Sequence, residues 1–468
     1  MSTSPGTSRT PQMLLGEARS GEWTVGGMTA GQLAREFGTP LYVMDEARLR
    51  ANCQAYVQTL RDAYPDSQVI FASKALCCMA TCRLAYEEGL GVDVLSAGEI
   101  WTALRAGVPA GALFLHGNNK TADELALALE VGVGRIVADN FYDLELLDTL
   151  TRQTGKTANV LLRLTPGIEP HTHQAIKTGG VDSKFGFGIP DGTAREAVRR
   201  ALAIPGVRVL GIHCHIGSQV LDLHPFEMAA EAMMDFTAWM AQDLRVPVQE
   251  LDLGGGLGIR YLLTDAPPAI RDYVQLLAGI VRRRAQALEM RPPRLLIEPG
   301  RSIVGDAGAT LYTVGAVKPI AGIRTYVSVD GGMYENPRPA LYGARYEAIL
   351  ANRVDDPAGR TVTIAGRCCE SGDVLIWEAT IPDPRPGDLL AVFSTGAYNY
   401  SMASNYNRYP RPAMVFVADG YARTVVQRET VDELLARDVP PADAPRRGMD
   451  ADQAGTGPEA ANIRHPVR

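Results

Sequence analysis

The stretch Val207-Arg208-Val209-Leu210-Gly211-Ile212-His213-Cys214-His215-Ile216-Gly217-Ser218-Gln219 sets the reading of this chain. A β-branched apolar run ends in a polar, glycine-bearing segment, and an amphipathic run, Pro225–Leu244, follows it. A short strand feeding a helix is one βα unit. The same beat continues outward on both sides. Strand-like runs fall at Val69–Ala72, Val92–Leu95, Leu113–His116, Arg135–Ala138, Val160–Leu164, Val207–His215, Glu250–Leu253 and Arg294–Glu298. Helical patterns separate most of them, at Ala97–Ala106, Thr121–Val131, Leu144–Arg152, Ala194–Ala203 and Ile270–Leu288. Thr121 with Glu124 has the spacing of a capping box. Strand–helix units repeating over about 240 residues match the size of an α/β fold of the (β/α)8 TIM-like barrel type. A doubly wound sheet is the rival architecture.

After about Gly305 the texture changes. Helical periodicity gives way to alternating apolar runs at Leu311–Val317, Thr325–Val329, Thr361–Ala365, Val374–Ala379, Leu389–Phe393 and Ala413–Val417. Turn signals such as Asp330-Gly331-Gly332 and Pro386-Gly387-Asp388 punctuate them, which reads as a C-terminal antiparallel β domain. Leu41-Tyr42-Val43 reads as an N-terminal strand that joins it. The expected organisation is a disordered N-terminus over 1–18 and a strand segment over 19–45. The barrel follows over 46–305, the β domain over 306–430 and a disordered tail over 431–468.

Composition narrows the function. The chain has 468 residues, with 46 Lys+Arg against 53 Asp+Glu and a formal net charge of −7. A mildly acidic balance argues against a nucleic-acid partner, whose footprint is a basic face. Apolar residues make up 46%, too many for a mainly disordered chain. The seven cysteines are odd in number and sparse, which points to a reducing cytoplasm rather than a disulfide framework. The apolar run Met13-Leu14-Leu15 is too short for a signal peptide, and no run approaches the ~20 residues of a membrane span.

In a barrel of this type, chemistry gathers where the strands end. The first run ends Ser73-Lys74-Ala75, and the second holds Asp93. The third ends His116-Gly117-Asn118-Asn119, the fourth Asp139-Asn140, and the fifth carries Arg163. The sixth ends His213-Cys214-His215-Ile216-Gly217-Ser218, the seventh Asp252-Leu253-Gly254-Gly255-Gly256-Leu257-Gly258, and the eighth Glu298-Pro299-Gly300-Arg301. Each has an ordinary reading alone: Lys74 as a solvated strand end, the glycines as a tight turn, Glu298 with Arg301 as a surface ion pair. His213 and His215 share a strand face and could bind metal, but no third ligand is spaced for it, so no metal is expected. Together the groups fit a phosphorylated aldehyde cofactor. A lysine forms the Schiff base, a carboxylate meets the ring nitrogen, and a histidine packs on the ring. Glycines with Arg301 hold the phosphate.

These blocks, in this order, resemble the fold-type III, pyridoxal-phosphate-dependent amino-acid decarboxylases, and within them the branch that acts on diaminopimelate. The resemblance runs over roughly residues 35–425. It rests on Phe71-Ala72-Ser73-Lys74-Ala75, His213–Gln219, Asp252–Gly258 and Glu298-Pro299-Gly300-Arg301-Ser302. Further on it rests on Pro337-Arg338-Pro339-Ala340-Leu341-Tyr342-Gly343, Cys369-Glu370-Ser371-Gly372-Asp373 and Gly396-Ala397-Tyr398. It implies an alanine-racemase-type barrel plus the β domain, with pyridoxal 5'-phosphate as cofactor. The implied reaction is decarboxylation of meso-2,6-diaminopimelate to L-lysine and CO2, the last step to lysine.

The resemblance also implies roles. Lys74 carries the cofactor as an imine, His215 stacks on its ring and Glu298 pairs with the ring nitrogen. Ser218, Gly256 and the backbone of Pro299, Gly300 and Arg301 hold the phosphate, with Tyr398 near phosphate and substrate. Arg301, Arg338 and Tyr342 grip the distal carboxylate of the substrate. Glu370 binds its distal amino group, and Cys369, rather than the neighbouring Cys368, donates the proton. Cys369 and Glu370 are implied to come from a second copy, so that a homodimer shares its active sites. Related decarboxylases act on ornithine, arginine, carboxynorspermidine or a carrier-bound amino acid. The pair Arg338 and Tyr342 argues against a simple diamine precursor, which has no distal carboxylate. A catalytically dead regulator would not need Lys74, Glu298 and Cys369, and a racemase would need a second base in place of the Cys-Glu pair.

Overall fold

The computed structural model describes residues 12–168, 180 and 182–440. Among them, eight parallel strands close into a barrel, Ser67–Ala72, Gly91–Val94, Leu113–Leu115, Arg135–Ala138, Ala158–Thr165, Val207–His213, Glu250–Asp252 and Arg294–Ile297. Closure is made by the pairing of the fourth strand with the fifth and of the eighth with the first. These are the runs read from the sequence, within a few residues at each end. The helices pack outside. Thr121 caps Ala122–Val131 with the expected reciprocal bonds to Glu124. Helix Glu46–Ala63, which precedes the first strand, packs beside Ile270–Ala287 and completes the outer layer.

The barrel interior follows the two-residue period of its strands. Ile70, Phe114, Val137, Leu161, Leu210 and Leu296 form a buried apolar plug. Two residues further along, the same faces present His116, Asp139, Arg163 and Glu298, all buried. An apolar layer therefore supports a polar layer at the C-terminal mouth. In the sixth strand Leu210 and His213 are three residues apart, and a register slip between Val209 and Gly211 absorbs the extra residue.

The expected β domain follows, a largely antiparallel sheet that also contains two parallel pairings. Its longest strand, Gly308–Ile320, pairs antiparallel with Arg324–Val329, with Leu389–Phe393 and with the N-terminal strand Leu41–Asp45. Two pairings are parallel: Arg324–Val329 with Arg360–Ala365, and Leu41–Asp45 with Ala413–Ala418. Parallel neighbours need long crossovers. The first has the segment 330–359 that carries Arg338, and the second joins strands from opposite ends of the chain. Leu41–Asp45 thus enters the middle of the sheet, as its apolar run suggests.

Both expected disordered ends need correction where they are described. Residues 12–18 include Met13, Leu14 and Leu15, which pack on an apolar core with Trp23. Glu17–Arg19 pairs with Glu22–Val25 in a small sheet. Trp23 Nε1 donates to the Leu15 carbonyl, 2.8 Å away, which ties that end down. In the tail, Val431–Leu435 is a short helix whose capping box joins Thr430 and Glu433. The remainder of both expectations, residues 1–11 and 441–468, lies outside the described residues.

Gly211 tests the barrel packing. A Cβ there would stand 1.7 Å from the Glu250 carbonyl oxygen of the next strand. Gly211→Ala should cost about 3 kcal/mol or more, at the upper end of overpacking. Urea unfolding followed by circular dichroism measures it.

Candidate active site

The polar layer centres on Glu298. Nε2 of His116 lies 2.7 Å from its Oε1, and Nε2 of His213 lies 3.1 Å from its Oε2. The two rings meet edge to face, 5.0 Å between centroids. Burial alone would push the carboxyl up, but the two imidazoles more than offset it and hold Glu298 well below the usual carboxylate range. Burial brings His213 down to about 4, so a neutral ring donates its Nε2–H. These three side chains also make the one set of three metal-ligating groups found among the described residues. The histidine pair singled out in the sequence does not act as a unit, since His213 turns to Glu298 while His215 lines the cavity above.

Lys74 sits on the single turn Ser73–Ala75 directly after the first strand. Burial works to lower its pKa, but Asp93, Tyr398 and Glu298 outweigh burial and keep it raised. His215 accepts a 3.3 Å hydrogen bond from the Gly255 N–H at Nδ1. Burial, with Lys74 and Arg163 nearby, holds the His215 ring well below its ordinary pKa. It is an uncharged flat ring over the mouth of the barrel.

Beside it lies a cradle that only glycine builds. Gly256 has φ of +123°, and a Cβ on it would lie 2.3 Å from the Gly217 carbonyl. A Cβ on Gly255 would lie 2.0 Å from the Glu298 carbonyl. Ser218, Gly256, Gly300, Arg301 and Tyr398 line one small space with Lys74, His215 and Glu298. Backbone N–H groups in such a concavity, with a guanidinium at its rim, suit a phosphate. The residues therefore fit a phosphorylated pyridine aldehyde: an amine for its carbonyl, an anionic carboxylate for its ring nitrogen, a neutral ring for its face and a cradle for its phosphate.

A larger cavity of about 650 Å³ opens from this space, lined by Lys74, His215, Arg301, Arg338, Tyr342 and Tyr398 among others. Arg338 opens the short helix Arg338–Tyr342 and is buried. The Arg301 guanidinium stacks on the Tyr398 ring at 4.7 Å. Tyr398 holds φ of +61°, a costly conformation for a bulky residue. Its N–H donates to the Ala75 carbonyl at 2.7 Å, which couples the β domain to the turn that carries Lys74.

Cys369 and Glu370 are not among the residues that line this cavity. Both are exposed, on the loop between Arg360–Ala365 and Val374–Ile381. Cys368 is buried, and burial pushes its thiol up to about 12. Asp373 organises the loop: its carboxylate accepts from the Cys368 N–H and the Met333 N–H, each at 2.7 Å. One side chain therefore ties the cysteine loop to the segment that leads into Arg338.

Sequence reading left Asp93, His116 and Arg163 without roles, although it placed each on its strand. For His116 and Arg163 the two-residue spacing from a large apolar residue, Phe114 and Leu161, was the available signal; Asp93 stands two residues after Gly91 and lacks it. Tyr261 and Tyr346, which flank both arginines, were missed. They lie in irregular segments with no periodicity to mark them.

The fold and this cleft define a pyridoxal-dependent decarboxylase. The family described as pyridoxal-dependent decarboxylase, pyridoxal binding domain, matches residues 49–305. Diaminopimelate decarboxylase of Bacillus subtilis (strain 168) is 48% identical over 435 residues, 93% of this chain and 98% of its own length. That of Mycobacterium tuberculosis (strain H37Rv) is 43% identical, over 89% of this chain and 94% of its own. Among solved structures, diaminopimelate decarboxylase from M. jannaschii superposes with a TM-score of 0.85 at 34% identity, covering 91% of this chain and 98% of that one. The Helicobacter pylori enzyme complexed with L-lysine gives 0.78 at 28% identity, covering 87% and 98%. The chain belongs to the diaminopimelate decarboxylase family, and its cofactor is pyridoxal 5'-phosphate.

Two substitutions separate the roles of the mouth. Lys74→Ala should abolish the borohydride-trappable adduct with the cofactor, read by mass spectrometry. Glu298→Gln should keep that adduct yet lower kcat by about two orders of magnitude or more, read in a CO2-release assay.

Proposed function

We propose that the chain decarboxylates meso-2,6-diaminopimelate to L-lysine and CO2 at the mouth of the barrel. The observation that carries the reading is a cavity lined by Lys74, His215, Arg301 and Arg338, which shares Lys74, His215 and Arg301 with the small space that holds Glu298. When bound, pyridoxal phosphate supplies the electron sink that delocalises the charge left on carbon as CO2 departs. Lys74 holds its carbonyl carbon, and Glu298, kept anionic, keeps a proton on the ring nitrogen. Neutral His215 covers the ring face without competing for that proton. Ser218, Gly256 and the backbone at Pro299, Gly300 and Arg301 fix the phosphate.

Arg301, Arg338 and Tyr342 take the substrate's distal carboxylate. Guanidiniums match a carboxylate by paired hydrogen bonds. Anchoring the far end would fix the orientation of the other carboxylate at the reacting carbon and so select it for loss. Cys369 then delivers a proton to the carbon, and Glu370 receives the distal ammonium. A thiol carries a transferable proton and suits that task. In this chain both side chains lie outside its own cavity. A second copy supplies them, so the working unit is a homodimer with shared sites. The expected compartment is the cytoplasm; among the described residues no helix is long and apolar enough to cross a membrane.

Pure holoenzyme incubated with meso-diaminopimelate should release CO2 and L-lysine in equal amounts, with ornithine and L,L-diaminopimelate much poorer. Release of another amine instead of lysine refutes the assignment. Sharing of sites is tested by mixing. Lys74→Ala and Cys369→Ala should each be nearly inactive, while re-formed mixed dimers recover up to about a quarter of normal activity, because each hybrid keeps one intact site. No recovery on mixing would place the thiol in its own subunit's site, and normal turnover by Cys369→Ala alone would remove it from the reaction.

A further inference from the structure

The geometry points to Tyr261 and Tyr346 as positioning residues that set the spacing of Arg301 and Arg338, and so make the cavity specific for a substrate with a distal carboxylate. The inference rests on the proposed function and adds to it two residues that sequence reading missed.

Tyr261 touches both arginines by different means. Its hydroxyl accepts from Arg301 Nη1 at 2.5 Å. Its ring face carries the Arg338 guanidinium at 4.7 Å. Tyr346 completes the arrangement: its hydroxyl accepts from Arg338 Nη1 at 2.6 Å. The two phenol rings meet edge to face, 5.5 Å between centroids. Two like charges brought into one cavity repel each other, and a chain of rigid rings with acceptor hydroxyls opposes that repulsion at a fixed separation.

The partners of the arginines matter. Among the described residues both guanidiniums hydrogen-bond hydroxyls, not carboxylates: Arg301 also donates to Ser218 Oγ at 2.8 and 3.2 Å. Their positive charge is therefore left for a ligand anion. Having accepted from Arg301, the Tyr261 hydroxyl also keeps its own proton for an acceptor in the cavity.

The rings are themselves anchored. Asp265 accepts from the Tyr261 N–H at 3.0 Å and the Leu262 N–H at 2.9 Å. Glu347, next to Tyr346, accepts from the Leu263 N–H at 3.0 Å. The barrel loop holding Tyr261 and the β-domain segment holding Tyr346 are thus bonded to each other beside the arginines. A diamine lacking the carboxylate would leave both buried guanidiniums without a counter-charge, a large penalty.

The test compares L-lysine with cadaverine, which differ by that one carboxylate, on the holoenzyme and on Tyr261→Phe and Tyr346→Phe. Dissociation constants are read from the cofactor's absorption change. Wild-type enzyme should prefer lysine. Each variant should lose about tenfold of that preference, the scale of one hydrogen bond to a charged group. KM for meso-diaminopimelate should rise by about the same factor, with kcat within about threefold and the unliganded cofactor spectrum unchanged. An unchanged lysine-to-cadaverine ratio in both variants overturns the inference, and so does weaker cofactor affinity in Tyr261→Phe with the ratio intact at saturating cofactor, which would assign that hydroxyl to the phosphate. If one variant fails to fold, the other decides by the same ratio. Wild-type enzyme that makes lysine yet binds both ligands alike overturns this inference alone. Wild-type enzyme that makes no lysine overturns the proposed function and this inference with it.

Discussion

A carboxylate kept charged inside a protein is the constraint on which the site depends. Removing an ion from water costs several kcal/mol unless well-placed partners replace the lost hydration. Glu298 finds those partners on two other strands, His116 at the end of the third and His213 at the end of the sixth. The three meet only because the sheet closes on itself. An open sheet would leave these strand ends apart, so the rival doubly wound architecture could not assemble this group. Closure in turn relies on the apolar plug one layer down, where Phe114 and Leu296 stand two residues before His116 and Glu298.

The β domain is not a passive cover. The Tyr398 N–H bond to the Ala75 carbonyl ties it to the turn that presents Lys74. Arg338 comes from its crossover and Arg301 from the barrel, and the cavity between them exists only when both parts are folded. At this junction Tyr398 holds a left-handed backbone conformation. Such conformations persist where the surroundings over-determine them.

Much of this was legible in the sequence. The barrel strands announce themselves because β-branched runs and amphipathic runs differ in period, and the chemistry follows from looking just past each run. Lys74, His215, the glycine cradle and Glu298 converge as that reading requires. The β domain was read less well. Alternation marks its strands but not their direction, so the two parallel pairings were invisible. Ala348–Leu350, a three-residue strand, is too short to show a period. The support around the site was hardest to read. His116 looks like any strand end until Glu298 is seen across the barrel, and Tyr261 and Tyr346 sit in irregular segments joined by the bond from the Leu263 N–H to the Glu347 carboxylate. The ordered start at Met13–Leu15 was missed because its few apolar residues matter only once Trp23 folds over them.

The strand Leu41–Asp45 has a consequence for how the molecule is made. It lies between Gly308–Ile320 and Ala413–Ala418, so the middle of the sheet waits for residues that leave the ribosome hundreds of positions later. During synthesis the barrel can close first, while this early segment stays an unpaired edge. The sheet forms last, through contacts of very large sequence separation, which are slow to find. Severing the chain near residue 305 would therefore not yield two autonomous halves: the C-terminal fragment would lack its central strand, and the N-terminal fragment would display a sticky ribbon with nothing to pair it.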